Sequence, residues 1–253
     1  MIGQTTSILL FFLVIASTTS LQGQQKKIST KPKNAEMLID GTRKMLDDKW
    51  TYWEGPRFAG SLPIKWQIVA DPVSSGDSVL NSNDPTAPRG KFGMADIVTK
   101  KEYRDFRLHV EFFITAPKGN SGVYLQNRYE IQIYDGDTTI HGMGAVINEA
   151  KPSSNAYLGI GKWNTYDIVF RAARFSNGVR TERARVTLYF NGIKVHDNQE
   201  IEKVWGGKNS GQDGGTDVTD RPGGIKLQAE GHDVFFRNIW IQELVLKKPK
   251  IRF

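Results

Sequence analysis

Gly119-Asn120-Ser121-Gly122-Val123-Tyr124-Leu125-Gln126-Asn127-Arg128-Tyr129-Glu130-Ile131-Gln132-Ile133-Tyr134-Asp135 is the stretch that decides the architecture. It opens on a turn signal, Gly119 to Gly122, and continues through aromatic and β-branched residues that favour extended backbone. In its second half Tyr129, Ile131 and Ile133 alternate with Glu130, Gln132 and Tyr134. Strand side chains point alternately to opposite faces, so one face is apolar and the other carries a carboxylate beside an amide. One long strand over Val123 to Tyr134 is therefore expected. Its polar face reads as a solvated surface or, on the concave side of a β-sandwich, as a row suited to sugar hydroxyls and proton transfer.

Strand signals recur on either side of that stretch: Lys65 to Ala70, Arg107 to Ile114, Thr165 to Arg171, Arg185 to Phe190, Ile193 to Asp197, Gly224 to Gln228 and Val234 to Leu246. Their separators hold Gly, Asn, Asp and Pro, as turns require. Phe190-Asn191-Gly192-Ile193 is the clearest hairpin, because Asn-Gly suits the left-handed backbone of a type I′ turn. Thr42 to Lys49 reads as a short helix. Many short strands with little helical pattern predict an all-β fold, an antiparallel β-sandwich. Trp205 to Gly224 breaks the rhythm: seven Gly, with Asp213, Asp217 and Asp220, and no apolar period. Such a run is either a binding loop or lid, or a surface loop without function.

Of the 253 residues, Ile8 to Ala16 form an unbroken apolar run followed by small polar residues. Residues 1–22 are expected to be a secretory signal peptide, although the n-region has no Lys or Arg. Residues 23–34 read as a polar linker and 35–253 as a single domain, with no later segment apolar enough to span a bilayer. An exported, periplasmic or extracellular protein is the expectation. There is no Cys, which excludes a disulfide framework, a lipid-anchored N-terminus and a thiol nucleophile. The net charge of +7 is spread out, densest in the terminal lysine clusters, which read as solvated tails. With no recognisable motif and an exported setting, nucleic acid is not an expected partner.

Several catalytic devices are missing: no Gly-x-Ser-x-Gly elbow, no phosphate-cradling glycine loop and no His-Glu-x-x-His helix. Of the four His, His109 and His196 sit in strands and read as structural. His141 and His232, next to turns, are better placed to line a site. Among carboxylates, Glu130, Asp135 and Glu230 stand in or beside strands with polar neighbours. Paired carboxylates are the usual machinery of glycosidic cleavage, yet no spacing fixes two of them together here. Asp135-Gly136-Asp137 reads as a turn rather than a calcium site. Trp163 and Trp240 are expected in the core, and Trp205, at the head of the glycine-rich run, is the candidate for stacking on a sugar.

Taken together, these pieces resemble a known family. Asn120-Ser121-Gly122-Val123-Tyr124-Leu125-Gln126-x-Arg128-Tyr129-Glu130-Ile131-Gln132-Ile133 is similar to the signature of the 3-keto-disaccharide hydrolase family. The flanking motifs follow in the family's order: Asp96 to Phe106, Gly144-Ala145-Val146, Lys151-Pro152, Trp163 to Ile168, Asn191-Gly192, Gly223 to Gly231 and Val234 to Ile241. The resemblance spans roughly residues 36 to 246. It implies a concanavalin A-like jelly roll with a site in its concave face, and a carbohydrate substrate oxidised to a ketone at C3. That ketone acidifies the C2 proton, so a base removes it, the aglycone leaves C1 by elimination, and water adds back.

Such chemistry needs a base near C2, a donor or divalent metal at the enolate oxygen, and help at the leaving oxygen. The resemblance points to Glu130 as base or metal ligand, to Gln132 and Gln228 as hydroxyl-orienting groups, and to Arg128 or Arg237 for enolate charge. Arg237 reads alternatively as a structural ion-pair partner. Many family members carry His where this chain has Glu230, so Glu230, with His232 two residues on, replaces it as base or ligand. His141 and Trp205 complete the expected substrate contacts. Two other functions compete: a non-catalytic carbohydrate-binding jelly roll, favouring exposed aromatic platforms, and an ordinary glycosidase with two carboxylates about 5–10 Å apart.

Overall fold

The computed structural model describes residues 30–53, 63–83, 95–205 and 218–245. The expected signal segment, the start of the expected linker, most of the glycine-rich run and the C-terminal lysine cluster lie outside the described residues. In chain order the elements are β1 (Glu36–Ile39), α1 (Arg43–Lys49), β2 (Trp50–Tyr52), β3 (Gln67–Ala70), β4 (Ser78–Asn81), β5 (Ile97–Thr99), β6 (Phe106–Ile114), β7 (Asn120–Leu125) and β8 (Tyr129–Tyr134). There follow β9 (Trp163–Arg171), β10 (Arg174–Ser176), β11 (Val179–Glu182), β12 (Ala184–Phe190), β13 (Ile193–Ile201), β14 (Lys226–Leu227) and β15 (Val234–Glu243).

Two antiparallel sheets face each other as a jelly-roll sandwich. An eight-stranded sheet runs β13-β12-β9-β6-β15-β4-β3, with β1 also on β15, and a five-stranded sheet runs β2-β5-β14-β7-β8. Alternation fills the space between them. Leu108, Val110 and Phe112 of β6 and Tyr166, Ile168 and Phe170 of β9 meet Ile97, Val123, Ile131, Ile133 and Leu227 from the smaller sheet. All of these are essentially excluded from solvent, which is what stabilises a chain without cross-links.

The local chemistry explains the turns. Thr42 caps α1 by accepting the Met45 N–H at 3.1 Å, and the helix ends at Lys49, where the chain extends into β2. Asn191 and Gly192 both take positive φ, and Phe190 pairs with Ile193, as the hairpin motif requires. The single long strand expected over Val123 to Tyr134 is a hairpin instead. Gln126 and Asn127 each adopt φ of 54°, Arg128 N–H returns to Leu125 O, and Leu125 pairs with Tyr129. Two consecutive left-handed residues reverse the chain, and an Asn supplies one of them without needing glycine. Trp240, expected in the core, is buried, on the outer face of the larger sheet and stacked on His109 with centroids 5.2 Å apart, whereas Trp163, also expected in the core, is only half-buried on that face.

The free edge of β8 is covered by residues 144–150. Gln132 N–H bonds Ala145 O, Gly144 N–H bonds Gln132 O, and Ile147 N–H bonds Glu130 O. This both hides an edge and fixes β8 on its two sides. His196, expected to be structural, anchors the same segment through Nε2 to Gly144 O at 2.9 Å.

Candidate active site

The sequence Gly223-Gly224-Ile225-Lys226-Leu227-Gln228 is extended, with Ile225 and Leu227 in the core. Lys226 and Gln228 consequently face away from the other sheet, like Tyr124, Glu130 and Gln132 on β7 and β8 and Asp96 just before β5. Lys226 is the cross-strand partner of Tyr124, and Tyr124 of Glu130. Three strands thus lay a cation, a phenol and a carboxylate in one row. These outward-facing groups are nonetheless buried: Lys226 is 0% exposed, Asp96 2%, Tyr124 5% and Glu130 9%.

Contacts within the row are specific. The Lys226 ammonium lies 3.1 Å from Asp96 Oδ2, 3.7 Å from the Tyr124 ring centroid and 4.4 Å from that of Trp53. Asp96 Oδ1 accepts the Ala229 N–H at 2.9 Å, so Asp96 also fixes the strand that leads to Glu230. Gln228 Nε2 donates to the Tyr124 hydroxyl at 3.2 Å, and that hydroxyl in turn donates to the Glu130 carboxylate. Gly122 makes the room: a Cβ there would stand 2.3 Å from Glu130 Oε1.

Electrostatics follow from one cation among three carboxyl groups. Burial pushes Glu130 up to about 7; the Tyr124 hydrogen bond and Lys226 oppose this, and Asp96 adds to it. Burial, then the charges of Asp96 and Glu130, push Glu230 up to about 8 against the pull of Lys226. Its Oε1 is buried without a hydrogen-bond partner. Burial and the neighbouring carboxylates keep the Tyr124 phenol protonated. Near neutral pH the floor therefore offers one carboxyl group able to take a proton and another holding one.

The predicted residues are distributed unevenly around this floor. Glu130, Gln228 and Glu230 belong to it, and Gln132 lies on the same face of β8, half-buried. Arg128 is buried in the β7–β8 turn, where Nη1 donates to Arg221 O at 3.1 Å and so holds the approach to β14. Arg237 is on β15 of the opposite sheet, on its outer face, paired with Glu111 and Asp71 and 4.0 Å from the Trp163 ring. Its alternative reading as an ion-pair partner describes that placement, and it is not brought to Glu130.

His141 is exposed in the loop after β8, and His232 is half-buried in the β14–β15 connection. Trp205 is half-buried beside the covered edge of β8, its Nε1–H bonded to Glu149 at 2.9 Å. Asp96, Tyr124 and Lys226 were not singled out from sequence as site residues. The alternation of Lys226 and Gln228 with Ile225 and Leu227 carries the same signal as Glu130 and Gln132.

The donor set does not match a metal centre. Asp96 is engaged by Lys226 and a backbone N–H, and among the described residues no group of three or more His, Cys, Asp or Glu is arranged to hold an ion.

The class defined by fold is a jelly-roll β-sandwich with a buried carboxyl floor, and comparison with known proteins narrows it. The chain belongs to the 3-keto-alpha-glucoside-1,2-lyase-like family, whose model matches residues 35–242. A candidate glycosyl hydrolase from Parabacteroides distasonis is 28% identical, with 85% of this chain and 86% of that chain covered and a TM-score of 0.65. A second candidate glycosyl hydrolase from the same organism is 20% identical, with coverage of 83% and 100% and a TM-score of 0.51, a likeness of fold. No curated protein matches the sequence. Among the described residues no helix is long and apolar enough to cross a membrane.

Proposed function

We infer that this is an exported enzyme cleaving 3-keto-glycosides by elimination and rehydration. Glu130 takes the C2 proton, placing negative charge on the C3 oxygen as an enolate. The enolate collapses, the C1–O bond breaks, and Glu230 passes its proton to the departing oxygen. Water then adds across C1 and C2 of the unsaturated ketone, releasing the free keto-sugar. In this reading Gln132 and Gln228 orient hydroxyls, and Tyr124, hydrogen-bonded by Gln228, steadies Glu130.

The observation that carries this reading is the pair of carboxyl groups, both raised toward neutrality on one buried floor. A base and an acid matched to neutral pH are what proton abstraction beside a ketone and assisted departure require. Family membership supports the substrate class. Export rests on the apolar run Ile8 to Ala16 and the small polar residues that follow it.

Turnover of a chromogenic 3-keto-glucoside beside its unoxidised parent, with and without chelator, tests the reading. Cleavage of the keto form alone is expected, with Glu130→Gln lowering kcat by about 100-fold or more. Equal cleavage of both substrates would point to an ordinary glycosidase. Binding of unmodified glycans with no cleavage of either substrate would point to a carbohydrate-binding module.

A further inference from the structure

Lys226 has no part in the elimination just described, yet it is the most completely buried charge on the floor. Its ammonium is pinned between the Asp96 carboxylate and the faces of Tyr124 and Trp53. With 0% of its surface exposed, it lies beneath the groups that would meet a sugar. A buried lysine normally sheds its proton or finds a carboxylate, and here it has found Asp96.

We propose that Lys226 is a positioning residue: by pairing with Asp96 under the floor it offsets that carboxylate's charge on both neighbouring glutamates, Glu130 and Glu230. The inference rests on the acid and base roles assigned above to Glu230 and Glu130. The titratable groups facing Lys226 are Asp96 before β5, Tyr124 on β7, Glu130 on β8 and Glu230 after β14. Asp96 raises both glutamates and Lys226 lowers both, so the pair works as a balance. Without Asp96, Lys226 is left to lower both glutamates, and without Lys226, Asp96 is left to raise both. With both present Glu130 stands at about 7 and Glu230 at about 8, the Tyr124 hydrogen bond helping to hold Glu130 the lower.

The test does not need a substrate. In protein labelled with 13C at the glutamate carboxyl carbon, Glu130 and Glu230 are assigned by Glu130→Gln and Glu230→Gln and titrated by NMR. Lys226→Met should move both midpoints up, and Asp96→Asn should move both down, each by about one pH unit or more. The double variant Lys226→Met/Asp96→Asn buries no unpaired charge and should return both to within about half a unit of the parent. It keeps the test decisive if a single variant fails to fold.

Midpoints that stay fixed in the single variants, or that move the same way in both, would overturn the proposal. So would a double variant displaced as far as a single one. The pH profile of kcat should follow the same displacements while KM holds. Loss of keto-glucoside turnover by Lys226→Met that the double variant does not rescue would also overturn it, by making Lys226 a chemical participant. If the parent protein cleaves no keto-sugar, the reaction falls, and the carboxyl titrations still decide the role of Lys226.

Discussion

Each sheet carries a buried polar cluster on its outer face, and the two are resolved in opposite ways. On the eight-stranded sheet, Asp167, His109, Glu111, Arg237 and Asp71 form a chain of ion pairs. His109 Nδ1 donates to Asp167 at 2.8 Å, and Arg237 Nε and Asn238 Nδ2 donate to Glu111 at 2.6 and 2.7 Å. The second carboxylate of Arg237, Asp71, also accepts the Trp163 Nε1–H and the Val73 N–H. Burial opposes ionisation there, but the partners win: His109 is raised to about 9 and Glu111 lowered to about 2. On the five-stranded sheet one lysine serves three carboxyl groups, and burial wins: Glu130 and Glu230 are raised and a Glu230 oxygen has no hydrogen-bond partner. A saturated network fixes its protons and holds a fold together, whereas an under-compensated one leaves protons free to move near neutral pH.

The contrast is broken most forcefully by removing a cation from the saturated side. Arg237→Met strands Glu111 and Asp71 and should cost about 3 kcal/mol in urea unfolding, the low end for a buried pair because the guanidinium side chain is partly exposed. Activity per folded molecule should be unchanged; a fall of tenfold in kcat would make this cluster part of the site. Gly122→Ala asks the converse. Its new methyl group displaces the flexible end of Glu130 and should lower kcat by about 10- to 100-fold, with stability held within about 1 kcal/mol. Unchanged kcat would show that the carboxylate position is not critical.

The smallest expected effect concerns pH and stability. Glu130 has a folded pKa above its ordinary 4.5, so the folded state holds the extra proton and stability falls as pH rises from about 4.5 to about 7. Glu111 is shifted down, so its contribution is present above 4.5 and is lost as pH falls toward 2. His109 is shifted up, so its contribution is complete below 6.5 and is lost as pH rises through about 9. Glu130→Gln should therefore be more stable than the parent at pH 8 by about 1–2 kcal/mol, with the difference vanishing near pH 4. Equal stability at both pH values would show that Glu130 is not destabilised by burial.

The alternation of Glu130 and Gln132 with Ile131 and Ile133 was legible because a period of two survives any error about neighbouring strands. So were the Asn191-Gly192 turn and the Thr42 cap, which depend on local backbone chemistry. The break at Gln126-Asn127 was hidden, since Gln is not a usual turn residue and the flanking residues all favour strands. Arg237 and Lys226 carry similar signals, each a cation directly after an apolar residue in a strand, and they lie on opposite sheets. Only the sheet order, with β14 between β5 and β7, tells them apart. That order depends on pairings across the whole chain, which no local pattern contains. Asp96 was passed over for the same reason: its partners, Lys226 and Ala229, are remote in sequence.

β14 has two residues, yet it is the keystone of the smaller sheet. The bonds that seat it join Ala229 to Asp96 and Gln228 to Ser121, positions 133 and 107 apart. Closing such long loops costs entropy that is recovered only when both flanking strands are already in place, and high contact order makes folding slow. Glu130, Glu230 and the buried Lys226 consequently come into register together, late, and only in the complete domain. A chain clipped before residue 226 carries every residue of β7 and β8 and lacks the floor that β14 completes.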